Sequence, residues 1–122
     1  FRRVLFRSCV RAWDEVLEAI QQAGLSRPVV FHGFRKQLPL AERIVKAGHY
    51  LSFGKGLDRS TVRSVIRNVP LERIFLETDD LPCTIETVYE QACTAIGIDL
   101  NSLSLQLMKN AAEVFGSAFV SL

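Results

Sequence analysis

The sequence predicts an α/β fold built from parallel β/α units, and three observations predict it. Short β-branched and aromatic runs recur along the chain as RPVVFHGF, HYLSFG and LERIFLETD. Each is followed by a segment whose apolar residues fall at helical spacing. The links between them are only a few residues long, which calls for parallel strands joined by right-handed crossovers.

Taken in order, VRAWDEVLEAIQQAG is an amphipathic helix ended by Gly24. RPVVFHGF is the first strand, and LPLAERIVKAG is a helix carrying Leu40, Ile44 and Val45 with Gly48 as its C-cap. HYLSFG is the second strand. Asp58 or Ser60 can cap the next helix, STVRSVIRNV, which stops before Pro70. LERIFLETD is the third strand. In TIETVYEQACTAIG, Ile85, Val88, Tyr89, Ala92 and Ile96 form one stripe closed by Gly97. A last helix runs from about Ser102 to Phe115 with Leu103, Leu107, Ala111 and Val114 inward. Only three strands are visible, and the first helix has no strand before it.

At 122 residues and 48% hydrophobic content the chain is one domain in size, with ample material for a core. A net charge of +2 neither names nor excludes a nucleic-acid partner. Arg35, Lys36, Arg43 and Lys46 are scattered without aromatic interleaving, so they make no independent case for one. Cys9, Cys83 and Cys93 are an odd number with no close pair. That disfavours a zinc knuckle or a disulfide framework and fits reduced thiols in the cytoplasm. No apolar run approaches the ~20 residues that cross a bilayer. The opening FRRVLFRS lacks the apolar core and cleavage site of a secretory signal. No glycine-rich phosphate loop follows any strand, which disfavours a nucleotide-binding module.

In parallel sheets and barrels functional groups gather at the carboxyl ends of the strands. His32, Ser52 and Asp79 close the three strands and so share one rim. The stretch RIFLETDD then places Glu77, Asp79 and Asp80 at the end of an apolar run, where carboxylates are costly unless paired. His32 offers an imidazole for a borderline divalent ion, the plainer alternative being a satisfied core or surface histidine. Asp79 offers a hard oxygen ligand and proton acceptor, or else a cap for TIETVYEQ. Glu77 points the same way as Asp79 by alternation. It either supports a ligand or pairs with a lysine or arginine. Arg35 can grip a phosphate or stay solvated, and Ser52 can donate at the rim or bond to backbone. His49 precedes its strand and falls at the opposite end, as a surface or packing residue. Trp13 and Tyr89, on helix faces, are most simply packing.

HGF at His32 to Phe34, GHYLSFG at Gly48 to Gly54, LERIFLETD at Leu71 to Asp79 and KNAAEVFG at Lys109 to Gly116 resemble, in order, the TatD family of metal-dependent hydrolases. The resemblance runs from Cys9 to about Gly116. It implies a TIM-type (β/α)8 barrel of which this chain is the C-terminal half, hence incomplete. It further implies a pair of divalent ions (Mg, Mn or Zn) and phosphodiester hydrolysis, typically of DNA ends, as in a deoxyribonuclease. On that reading His32 and Asp79 are metal ligands and Asp79 is also the catalytic base. Glu77 backs a ligand from behind, and Arg35 and Ser52 are candidate substrate contacts. The family's H-x-H pair, later glutamate and fourth-strand histidine are absent, so the chain alone is expected to be inactive. Arg35, Asp80 and the LPCTIE loop depart from the family pattern and leave substrate contacts there open. No membrane and no obligate protein partner is implied. The rival reading is a small noncatalytic α/β binding or interaction module, which metal titration would separate.

FRRVLFRS also back-translates to the end of a common sequencing adapter, and the fourth-strand histidine would fall at Ser8. Residues 1–8 are therefore set apart, and 9–122 are read as the C-terminal part of a hydrolase domain. Half a barrel predicts two open sheet edges and one uncovered face.

Overall fold

Val29, Phe31, Leu51, Phe53 and Ile74 are stiff or aromatic side chains suited to a pleated, buried surface, and all five are fully buried. They build a sheet of four parallel strands: β1 (Val4–Phe6), β2 (Val29–Phe31), β3 (Tyr50–Phe53) and β4 (Ile74–Leu76). The order is β1-β2-β3-β4, so each crossover steps to the adjacent strand, as in the arc of a barrel. The structure is a computed structural model and describes residues 4–6, 13–24, 28–78 and 84–115. Helices α1 (Trp13–Ala23), α2 (Leu38–Lys46), α3 (Ser60–Asn68), α4 (Ile85–Ile96) and α5 (Leu100–Phe115) complete it.

The main core lies between one sheet face and the helices. Leu17 and Ile20 of α1, Ala41 and Ile44 of α2, Val62, Val65 and Ile66 of α3, and Val88 and Ala92 of α4 meet Phe31, Leu51, Phe53 and Ile74 there. Val30 and Tyr50 alternate to the other face, where they pack with Phe75, Val114 and Phe115. Val30 is 5% and Tyr50 4% exposed. The uncovered face expected of half a barrel is therefore corrected here, because the end of α5 lies against it.

Three further expectations are corrected. Among the described residues there are four strands rather than three. Val4–Phe6, inside the segment set apart by sequence, pairs with Val29–Phe31 in parallel. A short apolar triple of any origin can satisfy the backbone groups of an open β2 edge. Secondly, Leu71–Arg73 forms a 3-10 turn after Pro70, and among the described residues of that run only Ile74–Leu76 is strand. Thirdly, α3 begins behind Arg59 with no side-chain cap, so neither Asp58 nor Ser60 caps it. Better caps stand elsewhere. The Thr84 hydroxyl accepts the Thr87 amide, and Gly97 closes α4 in the left-handed conformation at φ +82°. Asp99 accepts from the Ser102 amide at 3.0 Å and from its hydroxyl at 2.7 Å, which starts α5 two residues earlier than its apolar spacing suggests.

Asn110, not Ala111, is the buried residue on that turn of α5. Its amide donates to the carbonyls of Leu71 at 2.8 Å and Ile74 at 2.9 Å, and its oxygen accepts from Gln106. One side chain thus ties α5 to the start of β4. Asn110→Ala strands two carbonyls and should cost about 2–3 kcal/mol, read as a lowered urea midpoint.

His49 holds the opposite end of the sheet. It is buried, and its Nδ1 accepts the Val29 amide at 3.1 Å, which requires the neutral ring. Burial, and secondarily the Arg73 guanidinium, hold its pKa below the ordinary value. With the folded pKa depressed, the contribution to stability is complete above about pH 6.5 and is lost as pH falls through the folded value. His49→Asn keeps an acceptor at that position without the titration. Thermal melts of this variant should show a weaker loss of stability below pH 6.5 than those of the parent chain.

Candidate metal centre

The parallel ladder carries three strand ends to one rim. Beyond the strands it continues one step, with the Phe34 amide bonding to the Ser52 carbonyl at 3.0 Å and the Glu77 amide to the Phe53 carbonyl at 2.9 Å. These bonds fix the backbone on which His32 and Glu77 stand. His32 follows Phe31 and Glu77 follows Leu76, each in the alternation of the face that carries Val30 and Phe75.

There the two side chains meet. His32 Nδ1 lies 2.8 Å from Glu77 Oε1, and the side chains are 22% and 12% exposed. A carboxylate only accepts, so Nδ1 carries the proton and donates. In the neutral ring this leaves Nε2 with a bare lone pair. That atom is buried and has no hydrogen-bond partner among the described residues. A buried polar atom without a partner costs about 1–3 kcal/mol. A histidine bonded to a carboxylate through one nitrogen and open at the other is the arrangement that fixes the ring of a metal ligand. This one nitrogen is thus a donor that fits a divalent cation. For Glu77, which the sequence offered either as support for a ligand or as the partner of a lysine or arginine, the contact described is the one with His32.

Asp79, with its two expected roles, and Asp80 lie outside the described residues. Among those described, no three His, Cys, Asp or Glu side chains converge on one point. Ser52 sits within β3 beside Phe75 and is 1% exposed, so its hydroxyl is enclosed in the sheet. Arg35 is exposed at the same rim. The tight turn at Gly56 (φ +115°) leaves room for its stem, since a Cβ there would stand 2.9 Å from Arg35 Cδ.

Gly54 escaped the reading of the sequence. A Cβ at that position would overlap the Glu77 carbonyl oxygen and stand 3.0 Å from its Cγ. The signal was present in SFGKG, where a glycine directly ends a strand and marks a close approach. A cleft of about 730 Å³ between α4 and α5 is a poorer candidate for the chemistry. Ile85, Ile98 and Leu100 line it together with Glu86, Glu90 and Asp99, and no histidine does. Its thiol, Cys93, is pushed up in pKa by burial and by Asp99, which makes it a weak nucleophile and ligand.

Comparison with known proteins places the fold and the family. A TatD related DNase family model matches residues 5–116. Among solved structures, the chain is similar to YjjV, a TatD homologue from Escherichia coli K12, with 26% identity and a TM-score of 0.78 over 85% of this chain and 46% of that one. A TatD family hydrolase from Entamoeba histolytica gives 12% identity and 0.73, covering 87% and 48%. An uncharacterized amidohydrolase from Saccharomyces cerevisiae gives 14% and 0.71, covering 91% and 52%. These last two show likeness of fold alone. No curated protein sequence matches significantly. The chain spans about half the length of the structures it matches, and its sheet is part of a TIM-type barrel. By the family model, which covers nearly all of it, the chain belongs to the TatD related DNase family.

Proposed function

We propose that the chain supplies the C-terminal half of a metal-dependent phosphodiesterase acting on DNA. The observation that carries this is Nε2 of His32, buried, without a partner among the described residues and backed by Glu77. His32 Nε2 and the Asp79 carboxylate would hold a divalent ion, Mg, Mn or Zn, and the intact enzyme would hold two. When bound, such ions acidify a water and neutralise charge on a phosphoryl group. Glu77 keeps the imidazole in one tautomer and orientation. Asp79 would take one proton of the attacking water as its oxygen bonds to phosphorus and the P–O bond to the leaving oxygen breaks. That proton can then pass to the leaving oxygen, which makes Asp79 both ligand and base. Arg35 offers a guanidinium to a phosphate at the same rim. Ser52 reaches substrate only if its buried hydroxyl is uncovered. The rest of the ligand set belongs to an upstream half, so the chain by itself is proposed to be inactive.

The test restores the barrel. A matching upstream half with its H-x-H, glutamate and fourth-strand histidine is fused to Cys9 to Leu122, omitting residues 1–8. Divalent-dependent cleavage of DNA that a chelator abolishes is the expected result. Asp79→Asn should reduce kcat far more than His32→Ala, whose activity excess metal partly restores, because the proton acceptor remains. If the fusion folds and binds metal but Asp79→Asn keeps full activity, Asp79 is not catalytic.

A second measurement isolates Glu77. In the same fusion, Glu77→Ala should weaken binding of one ion about 10–100-fold, by calorimetric titration. An unchanged affinity would mean that Glu77 does not support a ligand.

A further inference from the structure

His32 follows β2 and Glu77 follows β4, so their hydrogen bond must pass over the end of β3, which lies between. Gly54 occupies that end. The clash that a Cβ would make there is with the Glu77 backbone oxygen as well as with Cγ, and backbone does not yield as a side-chain tip would. At Gly33, on the other side of the pair, a Cβ would stand at an ordinary 3.8 Å from Glu77 Oε2. Gly54, unlike Gly33 and Gly56, is not in the left-handed conformation. Its requirement for glycine is therefore one of close approach rather than of turn geometry.

We infer that Gly54 is a positioning residue for this rim: the space it leaves lets Glu77 lie across β3, accept the Nδ1 proton of His32 and so hold Nε2 bare. The inference deepens the metal reading and rests on it for its purpose, although the geometry exists without any ion. In a parallel sheet, side chains on alternate strands are normally kept apart by the strand between them. Removing one side chain from the middle strand is the simplest way to join them.

The experiment reads the ring nitrogens of His32 by 15N NMR on the metal-free 122-residue chain, so a failure of metal binding leaves its outcome unaffected. At a pH where the imidazole is neutral, His32 of the parent should be the tautomer protonated on Nδ1, the one that donates to Glu77. Gly54→Ala should lose that signature and move to the Nε2-protonated form, as should Glu77→Ala, while His49 keeps its own pattern. If Gly54→Ala does not fold, which the clash with the Glu77 backbone oxygen allows, Glu77→Ala alone carries the test, and retention of the Nδ1-protonated signature in it overturns the inference. Retention of the Nδ1-protonated signature in Gly54→Ala overturns the inference. So does an Nε2-protonated neutral His32 in the parent.

Discussion

The rim depends on the register of three parallel strands. Leu51 stands beside Phe31 on one side and Ile74 on the other. That pairing sends Phe31, Leu51, Phe53 and Ile74 into the helical layer and leaves Val30, Tyr50 and Phe75 on the opposite face. His32 and Glu77 continue the second alternation beyond their strands, so both belong to the Val30–Phe75 face. A slip of one residue in β4 would put Ile74 on the wrong face and turn Glu77 away from His32. The buried apolar rows thus enforce the geometry of a polar pair that contributes nothing to them. Asn110 guards the same register from below by holding the Leu71 and Ile74 carbonyls.

The chain has two histidines, at opposite ends of the sheet, and their surroundings give them opposite characters. His49 accepts from the Val29 amide through Nδ1, close to a guanidinium. Its Nδ1 is therefore bare, and the ring serves as a backbone acceptor where β2 begins. His32 has a carboxylate at Nδ1, so that nitrogen must be protonated and Nε2 becomes the bare one. Position along a parallel strand separates the two jobs. The amino end has unpaired amide donors that want an acceptor, and the carboxyl end gathers functional side chains.

Much of this was legible in the sequence. V-V-F, Y-L-S-F and I-F-L each carry the composition of a buried strand, and the short links between them compelled a parallel arrangement. That His32 and Glu77 follow strand ends on one rim was legible there too, whereas Asp79 lies outside the described residues. The partner of Glu77 did not follow, because a neighbouring arginine and a rim imidazole are equally good companions until the register is known. The start of α3 was misread for a local reason: Asp58 and Ser60 are both cap-type residues, but the backbone changes conformation at Arg59, between them. β1 was hidden because three apolar residues flanked by arginines look like nothing in isolation. Only the open edge of β2 makes a strand of them.

A folded chain that leaves His32 Nε2 buried and without a described partner breaks a rule that its other end obeys at His49. Such local violations persist where function requires them, and the surrounding packing must offset them. Here the offset is visible: the apolar rows fix the strands, Gly54 opens the crossing, and Glu77 fixes the ring. All three devices come from β2, β3 and β4, which lie within one continuous stretch of the chain. The orientation of the His32 imidazole is therefore set within that stretch, before anything binds at Nε2. A group held in place beforehand loses less entropy on binding than one that must be ordered at that moment.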